Sequence, residues 1–176
     1  LLGKQKFVID EIEVPDCKEN EVLVRIKAVG VCGSDAHYFQ DGRIGDQIVP
    51  EKFIIGHEAS GEVVETGRNV KSVRPGDRVV IEPGISCGEC QFCITGRPNL
   101  CPHVKFLGTP PVIGAFRQYI AMPEKNIIKL PDELSFAEGT LAEPLAIALY
   151  GVRLSNFQIG DSVVILGTGP IGLSVL

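Results

Sequence analysis

Short runs of alternating apolar and polar residues fill most of the chain up to residue 130. Such alternation is typical of β-strands that bury one face, and Val and Ile, which favour strands, are frequent in these runs. Turn sequences rich in Gly and Pro separate them, as in Arg74-Pro75-Gly76-Asp77. Closely spaced short strands of this kind predict an all-β sandwich or barrel. The predicted strands are residues 7–14, 22–31, 61–66, 78–82, 116–121 and 126–130.

The pattern changes at Ser135, where helical signals begin. Ser135 and Glu138 match a capping box, in which a hydroxyl and a carboxylate each accept a backbone N–H at the start of a helix. Pro144 fits the first turn of a second helix that runs to about Leu154. The continuous apolar run at 162–167 is typical of a strand buried on both faces, and glycines and a new helix follow it. We therefore expect a β-rich unit, a helical connection and the opening of an α/β unit.

The composition supports a globular protein. Of the 176 residues, 44% are hydrophobic and 22% are charged, so a packed core is expected. The net charge of −5 argues against nucleic acid or an anionic membrane as the partner, and no apolar run reaches the roughly 20 residues that span a bilayer. The N-terminal residues do not resemble a signal peptide. We expect a cytoplasmic protein. The missing initiator Met and the end inside an apolar helical run suggest a piece of a longer one.

Four of the six cysteines, Cys87, Cys90, Cys93 and Cys101, share one short segment. Two residues between neighbours let the sulfurs converge on one ion, and the fourth cysteine completes the tetrahedron of a closed structural zinc site. Two disulfides would need Cα separations and directions that cysteines this close do not easily provide. An iron–sulfur cluster also uses four thiolates, although its usual spacings differ. We predict structural zinc, with oxidised cysteines or another metal as alternatives.

A second group of metal-binding residue types lies at the ends of predicted strands. Cys32 directly follows one strand, His57 and Glu58 precede another, and glycines flank both positions. Alone, Cys32 would be interpreted as a core thiol and His57 as a structural histidine. Together, Cys, His and carboxylate form a ligand set for a catalytic zinc whose remaining position takes water or substrate. Glu143, at a helix start, offers another carboxylate.

Five motifs occur in one order along the chain: C-G-S-D-x-H, GHEASG, the four-cysteine segment, EPL and G-T-G-P-I-G. Over nearly the whole chain they resemble the zinc-dependent medium-chain dehydrogenases. CGSDAHYF, GRIGD and TPP are most similar to the polyol branch, the sorbitol, xylitol and L-iditol 2-dehydrogenases. The resemblance implies a mainly β fold, with a GroES-like β-barrel catalytic domain at 1–155, short helices and a zinc-binding lobe at 84–104. It implies that residues 156–176 carry the first strand of a truncated α/β Rossmann domain.

The resemblance also implies roles for individual side chains. Cys32 and His57 match ligands of the catalytic zinc. Either Glu58 or Glu143 supplies the carboxylate ligand, directly or through water. Asp35 resembles the residue that orients the histidine ligand. The residues implied in catalysis are Ser34, His37, Glu58 and Glu143, with Ser34 and His37 as a proton relay, and those implied in polyol binding are Tyr38, Ile44, Phe106, Thr109 and Glu143.

The glycines after the apolar run form G-x-G-x-x-G between a predicted strand and a helix, which predicts a dinucleotide-binding turn. Gly167, Gly169 and Gly172 would allow a tight turn and close approach of a pyrophosphate to the backbone. Ile171 resembles a residue that packs near the nicotinamide. The cofactor is NAD or NADP, because the residue that distinguishes them is expected about 20 residues further along.

We therefore expect a zinc-dependent oxidoreductase that transfers a hydride between a polyol/ketose pair and NAD(P), with two zinc ions per chain. With one strand of the nucleotide-binding sheet, the chain alone is expected to be inactive. The family is dimeric or tetrameric, which implies a homo-oligomer. The nearest alternative is threonine dehydrogenase or another zinc alcohol dehydrogenase. A zinc-ribbon-like binding module with one zinc ion and an inactive chaperonin-like β module with none are alternatives of other classes.

Overall fold

The computed structural model describes residues 1–176 and confirms the expected mainly β fold. The strands are β1 Glu21–Gly30, β2 Arg43–Ile44, β3 Gln47–Ile48, β4 Glu58–Thr66, β5 Arg78–Ile81, β6 Gly84–Ile85, β7 Lys105–Phe106, β8 Tyr119–Pro123 and β9 Ile127–Lys129. The α-helices are α1 Gly33–Asp41, α2 Gln91–Ile94, α3 Phe136–Gly139, α4 Ala142–Ser155 and α5 Pro170–Val175, and 3-10 turns lie at Pro98–Leu100 and Glu124–Asn126.

Five strands form one antiparallel sheet in the order β8-β1-β4-β5-β9, and the pairs β2–β3 and β6–β7 lie outside it. Strand β1 pairs with β8 on one side and with β4, the central strand, on the other. Its register against β4 shifts after Leu23 and after Ile26, as β-bulges cause. Gly30, which ends β1, pairs with Glu58, which begins β4. The residues just beyond this pair are therefore brought together.

Two hydrophobic clusters hold these elements in place. Val22 and Val24 of β1 are fully buried, and burial of an aliphatic side chain stabilises the fold by roughly 1.5–3 kcal/mol. A smaller cluster fixes α1 and the β2–β3 pair to the body through Leu1, Tyr38 and Phe53. The main cluster contains Val22, Val24, Ala59, Val63, Val73, Val79, Ile81, Leu107, Ala115, Ile120, Met122 and Ile127.

The strand predictions divide according to whether a pairing partner exists. The predictions from 22–31 onward to 126–130 are confirmed as β1, β4, β5, β8 and β9, with shifted ends. The strands predicted at 7–14 and 162–167 are wrong, because neither segment pairs with a neighbouring strand. The alternation of residues 7–14 buries nothing, and Ile9 is fully exposed. A strand is defined by its hydrogen-bonded ladder, so the residue pattern alone was not sufficient.

The helix predictions after the sheet are confirmed. The capping box forms: Ser135 Oγ accepts the N–H of Glu138 at 3.2 Å, and Glu138 Oε2 accepts that of Ser135 at 2.7 Å. α4 carries Pro144 in its first turn and ends at Ser155. Helix α1 was not predicted, because Cys32 at its N-cap is not a usual capping residue. None of the helices combines the length and apolar character that crossing a bilayer requires.

Candidate active site

The pairing of β1 with β4 gathers the predicted Cys, His and carboxylate. Cys32 lies two residues beyond Gly30, and His57 immediately precedes Glu58, the partner of Gly30. The Sγ of Cys32, a ring nitrogen of His57 and a carboxylate oxygen of Glu58 lie within 4.8 Å of one another. His57 is only 6% exposed, and Glu58 is half-buried. The three side chains therefore form one compact group at the rim of the sheet.

Asp35 fixes the main chain on both sides of this group. It is buried, and its Oδ2 accepts the N–H of Cys32 while its Oδ1 accepts the N–H of Gly56, both at 3.0 Å. Asp35, which resembles a residue that orients the histidine ligand, makes no hydrogen bond to the imidazole of His57. Each oxygen of the carboxylate accepts one backbone N–H, one of them at the start of α1. Asp35 thus positions Cys32 and His57 through their backbones.

The turn before His57 is enclosed by two further segments. Gly56 has φ of 94°, and its carbonyl accepts the N–H of Ala115 at 2.9 Å. Gly108 has φ of 75°, and a Cβ atom there would lie 2.7 Å from Gly56 O. Sequence analysis missed Gly108, for which the one available signal was a glycine next to a residue assigned to the substrate pocket, Thr109. The close approach leaves His57 little freedom to move.

The residues predicted to bind polyol fall in two places. The ring of Phe106 meets that of His57 edge-on, with centroids 5.4 Å apart, and the Thr109 N–H donates to Phe106 O at 3.1 Å. Tyr38 is buried in the smaller cluster and its hydroxyl donates to a glutamine side chain, while Ile44 packs against that cluster. Their roles in substrate binding stay predictions.

The residues of the predicted proton relay lie on α1. Ser34 is half-buried, whereas the side chain of His37 is 66% exposed and its Nδ1 lies 3.2 Å from Asp41 Oδ2. Residues three apart on a helix are neighbours on its surface. The helix therefore provides a short route from a half-buried hydroxyl to solvent, and the relay itself stays a prediction.

Carboxylates around the centre resist ionisation. Burial, and then the charges of Glu58 and Glu82, raise the pKa of Glu143 to about 7. Burial also raises the pKa of Glu58, with His57 opposing this and Asp35 adding to it. Glu143 lies outside the compact group of three, although its charge affects that of Glu58. Half-buried carboxylates that repel one another favour a cation between them, so this donor set fits a divalent metal ion.

The four cysteines of residues 87–101 converge at the far end of β6 and β7. The Sγ atoms of Cys90 and Cys93 are 3.5 Å apart, those of Cys87 and Cys93 3.8 Å, and those of Cys87 and Cys101 3.5 Å. A tetrahedron of zinc–sulfur bonds of 2.3 Å has edges of roughly 3.8 Å. Backbone N–H groups, first that of Glu89, lower the pKa of Cys87 to about 6. This thiol is therefore largely ionised at neutral pH, and the donor set fits zinc.

The glycine-rich turn near the C-terminus has a compact shape. Gly167 has φ of 109°, and Gly169 is the residue before α5. A Cβ atom at Gly172 would collide with Gly167 O, and Ile171 is 44% exposed. The glycines therefore have the tight geometry expected of a nucleotide-binding turn, whose function stays a prediction.

Comparison with known proteins agrees with these features. The alcohol dehydrogenase GroES-like domain family matches residues 18–132. Sorbitol dehydrogenase of Bacillus subtilis is 47% identical over 96% of this chain and 48% of that protein, and L-arabinitol 4-dehydrogenase of Aureobasidium melanogenum is 48% identical over 89% and 42%. The structure of galactitol-1-phosphate dehydrogenase from Escherichia coli superimposes with a TM-score of 0.88 at 31% identity, over 97% of this chain and 48% of that one.

The chain thus spans about half the length of the known relatives it matches. The matched domain covers the five-stranded sheet, the Cys32–His57–Glu58 group and the four-cysteine segment. These matches give no support to the alternative of a zinc-ribbon-like module. Fold, motif order and relatives agree, and the chain belongs to the family of alcohol dehydrogenase GroES-like domains.

Proposed function

We propose that the protein is a zinc-dependent, nicotinamide-linked dehydrogenase that interconverts a polyol and its ketose. The observation that carries this proposal is the convergence of Cys32, His57 and Glu58 where β1 ends and β4 begins. The substrate class is supported by relatives named as sorbitol and L-arabinitol dehydrogenases. The substrate is then a small molecule with adjacent hydroxyl groups.

In this proposal Cys32, His57 and a carboxylate hold the ion at the reacting centre. Glu58 belongs to the compact group and is the favoured direct ligand, while Glu143 acts through water or contacts the substrate. A zinc ion bound there would act as a Lewis acid on the substrate hydroxyl, and the nicotinamide ring would accept the hydride. Cys87, Cys90, Cys93 and Cys101 would hold a second, structural ion.

The other side chains would position groups and move a proton. Asp35 keeps Cys32 and His57 in place through the main chain. Ser34 Oγ would accept the proton from the substrate hydroxyl, and the exposed imidazole of His37 would pass it to solvent. Phe106 packs edge-on against His57, and this contact would help to keep water from the imidazole.

The wider organisation follows from the same proposal. Residues 1–155 would form the catalytic domain with its zinc lobe at 84–104, and residues 156–176 would begin the nucleotide-binding domain. This boundary coincides with the end of α4 at Ser155. Gly167, Gly169, Ile171 and Gly172 would contact NAD or NADP. We further propose a homodimer or homotetramer in the cytoplasm, where thiols stay reduced and available to metal.

Metal analysis of the purified protein tests the two-ion assignment. We expect two zinc ions per chain in the wild type and one in Cys32→Ser, because that substitution removes a thiolate from the reacting centre only. Cys17→Ser is the matched control, since Cys17 lies outside both groups, and it should retain two ions. An unchanged zinc content in Cys32→Ser would disprove the assignment.

Substrate oxidation tests the reaction class. The intact protein is assayed with polyols and with L-threonine, each with NAD and with NADP, by the absorbance of the reduced nicotinamide. Oxidation of a polyol, lost in Cys32→Ser, supports the proposal. Oxidation of L-threonine alone would establish the threonine dehydrogenase alternative, and no oxidation with either would contradict both assignments.

A further inference from the structure

The four-cysteine lobe, residues 87–101, is attached to the body by a two-stranded ladder. The lobe leaves the body after β6 and returns to it through β7. Gly84 of β6 pairs with Phe106 of β7, and next to this pair the Leu107 N–H donates to Pro83 O at 3.0 Å. Whatever sets the position of β6 therefore also sets that of Phe106.

Asn126 holds β6 from the side. It is 1% exposed, and its Nδ2 donates to Glu82 O at 2.8 Å and to Gly84 O at 3.0 Å. Its own main-chain carbonyl accepts the N–H of Glu82 at 2.8 Å. The adjacent Lys125 extends this contact toward the lobe, since its Nζ donates to Ser86 O at 2.6 Å. The side chains of Asn126 and Lys125 thus bind the carbonyl groups of Glu82, Gly84 and Ser86.

The side-chain amide of Asn126 makes hydrogen bonds only through its NH2 group. Its Oδ1 is buried and has no hydrogen-bond partner, although a buried polar atom without a partner is unfavourable. The Nδ2 of the same amide donates to Gly84 O at the start of β6 and to Glu82 O just before it. The placement of this side chain is therefore explained by its donors.

The other strand of the ladder reaches the candidate active site. The ring of Phe106 lies edge-on to the ring of His57, with centroids 5.4 Å apart. Directly after it, Leu107 is buried in the main core, and Gly108 lies against the backbone of Gly56. A shift of the ladder would therefore change the contact between Phe106 and His57 first.

We infer that Asn126 is a positioning residue for the candidate active site: by holding β6 it holds Phe106 against His57, and it couples this contact to the order of the four-cysteine lobe. The role of His57 as a zinc ligand rests on the proposed function, but the ring contact between Phe106 and His57 does not. The sequence pattern places Asn126 at the start of a predicted strand and gives no sign of its contacts with β6; in the structure it ends the 3-10 turn Glu124–Asn126.

The test follows the imidazole resonances of the zinc-loaded, intact protein by NMR with labelled histidine. Loss of one signal in His57→Gln assigns His57, and Phe106→Leu shows where that signal lies without the aromatic ring. We expect Asn126→Asp to move the His57 signal more than halfway to its position in Phe106→Leu, because a carboxylate cannot donate to Glu82 O and Gly84 O.

Asn69→Asp is the matched control, because the Asn69 amide donates to Asn20 Oδ1 at an exposed site remote in sequence from the ladder. It should leave the His57 signal in place. A purely structural role for Asn126 would lower the unfolding temperature without moving the signal, and that result in folded Asn126→Asp would overturn the inference. An equal shift in Asn69→Asp would overturn it as well.

Lys125→Met keeps the inference testable if Asn126→Asp does not fold, since Lys125 is exposed and only the outer tether is lost. A smaller shift of the His57 signal in the same direction supports the inference, and no shift overturns it. The readout needs neither substrate nor turnover. A protein that fails to oxidise polyols but shows the shift would refute the proposed function alone.

Discussion

Two backbone N–H groups converge on the carboxylate of Asp35, one from Cys32 and the other from the residue before His57. A single buried side chain thereby joins the segment of Cys32 to that of Gly56, which is 21 residues after Asp35. A carboxylate suits this position because it presents two acceptor oxygens and no donor. The relative position of Cys32 and His57 therefore depends on Asp35.

Asp35→Asn should weaken zinc binding at the Cys32 centre about 10- to 100-fold, as is common when a supporting residue of a metal site is lost. The amide NH2 would face a buried N–H, and leaving that N–H without an acceptor costs about 1–3 kcal/mol of stability. Competition with a chelator measures the affinity, and thermal unfolding measures the stability.

Asp161→Asn is the control for this change. Asp161 also accepts a backbone N–H, from Gln158 at 2.7 Å, but it is exposed and far in sequence from the centre. It should leave zinc affinity unchanged. Equal zinc affinity in the wild type and Asp35→Asn would contradict the positioning role.

Gly108→Ala should destabilise the protein by at least about 2 kcal/mol, because the positive φ alone costs an L-residue roughly 1–2 kcal/mol. The new methyl group would in addition lie 2.7 Å from Gly56 O. Denaturant unfolding of Gly108→Ala and Gly76→Ala separates the two effects. Gly76 also has positive φ, with open space around it, so its variant shows the strain alone. Equal losses in the two variants would show that the approach to Gly56 is unimportant.

At the scale of elements, each longer predicted strand that has a partner is found, the predicted strands without one are absent, and the two-residue strands β2, β3, β6 and β7 were not predicted. Residues 22–31 and 7–14 alternate equally clearly, yet β1 pairs on both sides whereas 7–14 pairs with nothing. Alternation reports which face of a strand is apolar, and it carries no information about the neighbour. The same limit applies to 162–167.

The candidate site was predictable for a related reason. Cys32 and His57 lie next to the ends of strands that alternation locates, and metal-binding residue types are few. The supporting residues were not predictable, because their roles depend on backbone groups distant in sequence. Asn126 contacts carbonyl groups more than 40 positions earlier. Gly108 approaches a turn that only the folded chain brings near.

The 3-10 turn Glu124–Asn126 makes stability depend on pH through its first residue. Glu124 Oε1 accepts the N–H groups of Lys71 at 2.7 Å and Ser72 at 2.6 Å, and these bonds lower the pKa of Glu124. A lowered pKa in the folded state contributes stability above the unfolded value of about 4.3, and this contribution is lost as the pH falls through the folded pKa.

Glu124→Gln should therefore be less stable than the wild type at pH 7, with the difference shrinking below about pH 4. Urea unfolding at a series of pH values measures the difference. Glu133→Gln serves as control, because Glu133 is exposed and has no hydrogen-bond or ion-pair partner. A difference that stays constant from pH 7 to acid would mean that the charge of Glu124 does not contribute.

At the scale of the whole molecule, the sheet and the four-cysteine lobe are stabilised by different means. The sheet encloses a cluster of twelve buried residues, whereas Cys101 is the one buried residue of the lobe. A segment with so little apolar burial does not offset the entropy of ordering its chain, so we expect its order to come from the proposed zinc ion.

Removal of that ion should unfold the lobe and leave the sheet intact. In Cys93→Ser, amide hydrogen exchange within residues 87–101 should become fast while β1 and β4 stay protected. Cys17→Ser should exchange like the wild type. Continued protection of the lobe in Cys93→Ser would show that its order does not depend on the four thiolates.

The enclosed turn at Gly56 also bears on redesign of this scaffold. Libraries that aim at a new substrate range usually randomise every position close to the reacting group. Here that choice would include Gly56 and Gly108, where φ is positive and a new side chain would meet the Phe116 ring or the main chain of Gly56, so many clones would be destabilised. Diversity is better placed at Ile44 and Thr109, which are partly exposed and leave the histidine's support untouched.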